Sequence, residues 1–157
     1  MATPNTTFTT QVLTSAQMNN LPFGVVSRDY NTTATLTVNS TTETSLFTSA
    51  AFTPVAGRLY RCTYSIGFIA KTNNNGNINV RMRKDSTVGT ILNDSVYSAL
   101  GVNVYVPFST SILLTSTQMG TASFVPTVCV VANTSGFVAA NTGDTHGTIL
   151  FEDIGST

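Results

Sequence analysis

The stretch that decides the fold of this chain is residues 58–70, which read RLYRCTYSIGFIA. Large apolar side chains alternate there with polar or small ones, and they are Tyr60, Cys62, Tyr64, Ile66 and Phe68. A period of two places all of them on one face of a strand, whereas a helix would spread them around its axis. The stretch therefore predicts a long β-strand with one buried face.

Shorter strand-like stretches lie on both sides of it, separated by turns rich in Asn, Ser, Thr and Gly. We predict them at residues 24–30, 35–38, 45–52, 77–84, 90–100, 103–114, 122–132 and 148–154. Residues 122–132 are apolar on both faces, which predicts a central strand. The Asn75-Gly76 pair predicts a hairpin tip between the strands 58–70 and 77–84, and residues 133–147 predict a loop.

About eight to nine strands without helical crossovers predict an all-β fold, an antiparallel β-sandwich or jelly roll over residues 23–157. The composition agrees, because roughly a third of the residues are Thr, Ser or Asn, which favour strands and turns. Only 9% of the residues are charged and the formal net charge is zero, so no nucleic-acid partner is predicted. No apolar run approaches the roughly 20 residues of a membrane span.

Residues 1–22 predict an N-terminal arm with one short helix at residues 14–21. Thr14 and Gln17 have the spacing of a capping box, and Leu13 with Met18 that of a hydrophobic staple. A helix this short does not persist alone and needs a surface to dock on. We therefore predict that the arm is a docking device whose buried contacts are Phe8, Val12, Leu13, Met18 and Leu21.

The two cysteines, Cys62 and Cys129, both fall in predicted strands among apolar residues. Burial as reduced thiols is the favoured interpretation, and a disulfide between strands is the alternative. The first eleven residues have neither the basic nor the apolar region of a signal peptide. We expect synthesis in a cytoplasm and export, if any, by lysis.

Catalytic chemistry finds little support in the sequence. The single histidine, His146, lies in a Gly-flanked loop, where a polar residue needs no special explanation. The seven carboxylates show no calcium-loop spacing, and two cysteines with one histidine make no zinc set. We predict no enzyme activity, no metal and no cofactor, although a small sandwich enzyme is retained as a disfavoured alternative.

Arg81, Arg83 and Lys84 form a basic cluster, with the two arginines on the outer face of a predicted strand. One interpretation is a solvated edge strand guarded against strand addition. The other is a polar contact face for an acidic neighbour or a host polymer.

Three stretches resemble small virion surface proteins of tailed bacteriophages. They are TFTTQVLTSAQMNNLP at residues 7–22, PVAGRLY at residues 54–60 and ILFEDIG at residues 149–155. The resemblance covers about a fifth of the chain and implies a sandwich-like protein on the virion surface, commonly a homotrimer. Its partners would be copies of itself and the major capsid or tail subunits of the particle.

Within that resemblance, the length of the chain favours a capsid decoration (cement) protein held to the shell by its arm. Tyr60, Tyr64 or Tyr105 would then suit the seams between subunits. The alternative is a tail-fibre or minor tail protein that binds a receptor or a host surface glycan. That role needs an exposed aromatic platform, for which Tyr97, Tyr105 and Phe137 are the candidates.

Overall fold

The computed structural model describes residues 21–31, 36–38, 41–71, 77–97, 101–102, 104–133, 137–140 and 147–157. Their strands, in chain order, are β1 Gly24–Asn31, β2 Leu36–Val38, β3 Thr44–Thr48, β4 Arg58–Lys71, β5 Ile78–Lys84, β6 Ile91–Tyr97, β7 Val106–Thr115, β8 Pro126–Ala132, β9 Phe137–Ala140 and β10 Gly147–Ser156. One helical turn, α1, spans Ser116–Met119.

The strands form two sheets in which every pair is antiparallel, so the predicted β-sandwich is confirmed. The six-stranded sheet runs in the order β1-β10-β4-β9-β2, and β7 pairs with the other side of β4. The four-stranded sheet has the order β3-β8-β5-β6. The long strand β4 organises the larger sheet, because β7, β9 and β10 all pair with it.

The core lies between the sheets and follows the predicted alternation over most of β4. Tyr60, Cys62, Tyr64 and Ile66 are buried, as expected. Phe68 is only partly buried, and Ile69 takes the interior position. The pairing of β4 with β7 shifts register between Ile66 and Ile69, and this irregularity reverses the alternation.

The opposite sheet contributes β8, which is central between β3 and β5, as its two apolar faces predict. Val128 and Val130 of β8 point into the core. Aromatic rings pack together in the core, where Phe52 stacks on Phe151 at 5.1 Å between ring centroids and meets Tyr60 edge-on at 5.2 Å.

Two expectations about connections are wrong. Strands β4 and β5 lie in different sheets, so they do not pair with each other as a hairpin. The residues 72–76 themselves lie outside the described part of the chain. Strand β9 lies in the segment expected to be a loop, because its neighbours β4 and β2 provide pairing that a local pattern does not reveal.

The turn α1 was not expected either, although its signal is present. Thr115 and Gln118 form a capping box. The backbone N–H of Gln118 donates to Thr115 Oγ1 at 3.2 Å, and the backbone N–H of Thr115 donates to Gln118 Oε1 at 2.8 Å. Met119 at its end is fully buried, so this turn covers the core where the chain passes from β7 toward β8.

Candidate functional site

An exposed apolar segment lies where the N-terminal part of the chain joins the sandwich. Leu21, Phe23, Val25 and Val26 retain 49%, 57%, 54% and 39% of their accessible surface. The last two belong to β1, which is an edge strand because β10 is its one partner in the described sheet. Edge strands often carry charge, proline or a bulge to discourage strand addition. Pro22 and a bulge between Val25 and Ser27 are such features here. Residues 21–26, hereafter the apolar edge segment, nevertheless expose four large apolar side chains and form a candidate docking surface.

A buried ion pair holds the apolar edge segment in place. Arg58 and Asp153 are 4% and 1% exposed, and Arg58 Nε donates to Asp153 Oδ2 at 2.8 Å. Arg58 Nη2 also donates to the backbone carbonyl of Leu21 at 2.5 Å. The guanidinium carbon lies 4.3 Å from the centre of the Phe23 ring, a cation–π distance. The hydrogen bond with Asp153 raises the pKa of Arg58, against the opposing effect of burial. Arg58 therefore fixes the position of Leu21 and Phe23 in the apolar edge segment.

Of the predicted arm contacts, only Leu21 lies among the described residues, and it is exposed in the isolated chain. The other four, which are Phe8, Val12, Leu13 and Met18, lie outside the described part. Residues 14–20 of the predicted helix lie outside it too, and Leu21 at its predicted end is a bend. The docking role of the arm remains a prediction.

The predicted basic cluster is an ion-pair network on the outer face of the four-stranded sheet. Arg81 Nη1 donates to Glu43 Oε2 at 2.7 Å, and Arg81 Nε donates to Asp94 Oδ2 at 2.8 Å. Arg83 also pairs with both carboxylate oxygens of Glu43 and donates to the Gly89 carbonyl at 2.6 Å. Two positive and two negative side chains therefore balance within the chain.

This network corrects the edge-strand interpretation. Arg81 and Arg83 lie on β5, which is interior because β8 and β6 flank it. Lys84 does not join the network, since its Nζ lies 5.2 Å from the centre of the Phe124 ring. A polar contact face at these residues stays a prediction, and any partner there would meet arginines that already have carboxylate partners.

Cys129 lies beneath the network and Cys62 lies in the core, and both are buried free thiols. Burial raises the pKa of each thiol to about 12. The negative charge of Glu43 also raises the pKa of Cys129. Neither thiol has the lowered pKa of a reactive cysteine.

The tyrosines proposed for subunit seams separate into two classes. Tyr60 and Tyr64 are 1% and 0% exposed, so their placement at a seam is wrong. Both fill the space between the sheets, where the Tyr60 hydroxyl accepts from the Val55 amide at 2.8 Å. Tyr105 is 61% exposed and rests edge-on against Phe68 at 5.0 Å, so it stays available for a seam.

The proposed aromatic platform is not assembled as expected from the side chains that the structure describes. Tyr97 is partly buried and packs against Phe108 of the core, with ring centroids 5.5 Å apart. Tyr105 is exposed, and the side chain of Phe137 lies outside the described part, as does His146. Among described residues no three His, Cys, Asp or Glu side chains cluster as metal ligands. Within the same part of the chain, no helix is long and apolar enough to cross a membrane.

The functional groups that sequence reasoning missed are Arg58, Asp153, Glu43 and Asp94. The sequence does contain a signal for the first two, because Arg58 is two residues from Tyr60 and Asp153 is two residues from Phe151. Residues two apart in a strand lie on the same face. Both charges thus fall on the buried face, where they need a partner. Glu43 precedes its strand, and no local pattern relates it to residues 81–83.

Comparison with known proteins finds no matching protein-family model and no matching curated protein. Similar solved structures include the VP2 subviral particle of infectious bursal disease virus, with a TM-score of 0.48 and 7% identity over 82% of this chain and 33% of the VP2 chain. T=1 particles derived from that virus give a TM-score of 0.44 and 8% identity, covering 83% of this chain and 36% of theirs.

A carbohydrate-binding module, CBM6cm-2 from Cellvibrio mixtus lichenase 5A in complex with cellotriose, has a TM-score of 0.41 and 11% identity. The alignment covers 89% of this chain and 93% of the module. This chain spans only about a third of the length of the viral proteins that it matches. The assignment as an antiparallel β-sandwich rests on the strand order and register of the chain itself.

Proposed function

We propose that this chain is a non-enzymatic structural protein on the exterior of a tailed-phage particle, a capsid decoration protein that docks through its N-terminal region. The observation that supports the proposal is the apolar edge segment, in which four large apolar side chains, two in the edge strand β1 and two just before it, remain 39–57% exposed. A partner that covers them gains hydrophobic free energy at about 25 cal/mol per Å² of apolar surface. The edge of β1 that no described strand pairs with also offers backbone groups to a partner strand.

The proposed occupant of this surface is a subunit of the particle shell. Residues 1–20 directly precede the apolar edge segment in the chain and contain the four other predicted docking contacts. We therefore treat residues 1–26 as one continuous docking region. Arg58 holds the part of this region at Leu21 and Phe23 before any partner arrives. A pre-positioned segment loses less conformational entropy on binding than a free one.

Assembly as a homotrimer is part of the proposal. Three copies would present three docking regions, and avidity would then hold the protein on the particle without a single strong site. The low charge of the chain and the exposed Tyr105 are compatible with subunit contacts.

The first test compares two matched substitutions in particle binding. Val25→Lys adds a charge to the apolar edge segment, and Val96→Lys adds it to β6, an edge strand of the other sheet. The two valines are 54% and 56% exposed, so the cost to folding should be similar. We expect Val25→Lys to lose at least about tenfold in affinity for particles that lack the protein, because a charge must be buried in an apolar contact. Val96→Lys should bind as the wild type does.

Equal binding by both variants would exclude β1 as the docking surface. A double variant of the full chain, Leu13→Asp with Met18→Asp, then tests the arm alone. Retained binding of that variant would remove the arm from the proposal.

The second candidate is a tail-fibre or minor tail protein with a receptor-binding sandwich. Mass spectrometry of purified particles separates the two, because decoration requires on the order of hundreds of copies and a tail component only a few. Absence of the chain from particles would refute both.

A further inference from the structure

The outer face of the six-stranded sheet differs from that of the four-stranded sheet. In the six-stranded sheet, pairs of hydroxyl groups lie between β4 and its neighbours β7 and β10. Thr63 Oγ1 lies 3.0 Å from Ser111 Oγ, and Ser65 Oγ lies 2.6 Å from Thr148 Oγ1. These pairs join β4 to β7 and to β10 across the sheet. A hydroxyl both donates and accepts hydrogen bonds, so such a surface can match a ligand that is itself rich in hydroxyls.

A depression of about 390 Å³ lies beside these hydroxyls, between β1, β10 and β4. Its lining combines two aliphatic residues, two threonines and one charge of each sign, and consists of Arg28, Asp29, Thr63, Thr148, Ile149 and Leu150. The Ile149 side chain is 1% exposed and belongs to the core, so Leu150 supplies the apolar side chain of the depression. The volume falls at the lower end of the range of small-molecule sites, which is about 300–1,000 Å³. One or two sugar rings are the size of ligand that such a depression accommodates.

We propose that this depression is a subsite for a neutral saccharide. A sugar ring has an apolar face of C–H groups, which Leu150 can contact, and a rim of hydroxyls, which Thr63 and Thr148 can bond. Arg28 adds N–H donors at the rim, while the neighbouring Asp29 balances its charge. This balance disfavours nucleic acid and other polyanions, whose binding requires an excess of positive charge.

The proposal goes beyond docking on a particle and does not depend on it. The two surfaces share β1, but the apolar edge segment ends at Val26 and the depression begins at Arg28. Saccharide binding is measured on the purified chain and attachment on particles, so failure of one proposal leaves the other standing.

The test uses NMR amide shifts of the wild-type chain with trisaccharides of glucose, mannose and galactose as neutral probes. At least one probe should shift signals of β1, β4 and β10 that surround the depression. The variant Thr63→Val with Thr148→Val preserves side-chain shape and removes both hydroxyls, so its affinity should fall at least about tenfold. Thr44→Val makes the same change in β3 of the other sheet and should bind as the wild type does.

A sialylated trisaccharide is the charged comparator and should bind no more tightly than the neutral probes. Tighter binding of that probe would overturn the assignment to neutral sugars. Shifts that cluster elsewhere, undiminished affinity in the double threonine variant, or no shifts with any neutral probe would overturn the subsite.

Discussion

The two sheets of this sandwich each carry an ion-pair cluster, and the two clusters differ in how deeply they are buried. Arg58 and Asp153 of the larger sheet are at most 4% exposed and lie beneath the Phe23 ring. In the smaller sheet, Glu43, Arg81, Arg83 and Asp94 lie on the outer face with side-chain exposures of 12–33%. The first cluster holds a segment of chain in place, whereas the second joins strands across a surface. Burial should therefore make the first pair the more costly to break.

The largest expected effect comes from breaking the buried pair. Asp153→Ala should lower the free energy of unfolding by about 3 kcal/mol, because it leaves the Arg58 guanidinium buried without its carboxylate. Urea denaturation followed by circular dichroism measures the loss. A loss below about 1 kcal/mol would mean that water reaches Arg58 and that the two clusters are similarly accessible to solvent.

A smaller effect is expected from the outer network. Glu43→Gln keeps the side-chain shape but removes the charge shared by Arg81 and Arg83, and it should cost about 1–2 kcal/mol. The matched control is Glu152→Gln, whose partner Arg61 is 3.7 Å away and half exposed. That surface pair should contribute less than about 0.5 kcal/mol. Equal losses in the two variants would show that the network adds no more than an ordinary surface pair.

The outer network should also make the free energy of unfolding depend on pH. Burial raises the pKa of Glu43, but hydrogen bonds from Arg83 and Arg81 outweigh it, so the folded pKa lies below the ordinary value. Protons then bind the unfolded chain more readily than the folded chain. The contribution of Glu43 is thus complete above its unfolded pKa of about 4.3 and is lost as the pH falls through the folded pKa.

Unfolding free energies of the wild type and Glu43→Gln should therefore converge on acidification below about pH 4. A constant difference between them from pH 7 to about pH 3 would contradict a lowered pKa.

The smallest effect concerns the two thiols. Burial gives both Cys62 and Cys129 a pKa of about 12, so neither should react with iodoacetamide in the native chain at pH 8. In Glu43→Gln, Cys129 should become the faster to react, because the charge of Glu43 contributes to the raised pKa of this thiol and not to that of Cys62. Mass spectrometry of digested samples measures each site. Equal rates at the two cysteines would show that Glu43 does not control the reactivity of Cys129.

Prediction from sequence succeeded where side-chain periodicity determines structure and failed where distant pairing does. The alternation in residues 58–66 identified the long strand and its buried face correctly, because burial of one strand face requires a period of two. The same reasoning failed beyond Ile66, where a shift in the pairing with β7 reverses the alternation. It also paired β4 with β5, because an Asn-Gly turn signal does not distinguish a hairpin from a crossing between sheets.

The candidate surfaces differ in how far the sequence pointed to them. Leu21 was expected to be a docking residue from its place in the arm; it is exposed and begins the apolar edge segment, and its docking role stays a prediction. The depression at Arg28 and Thr63 could not be predicted, because its residues come from three strands far apart in sequence.

The sequence by itself determined that this chain is an antiparallel sandwich with a buried long strand, since alternation and composition act locally and burial demands them. Only the tertiary structure decided which charges meet. Arg58 and Asp153 are 95 residues apart, and Glu43 reaches Arg83 across 40 residues. Such pairs depend on strand order and register, which arise from packing of the whole chain. The same packing decides which apolar side chains remain uncovered, and hence where a partner can bind.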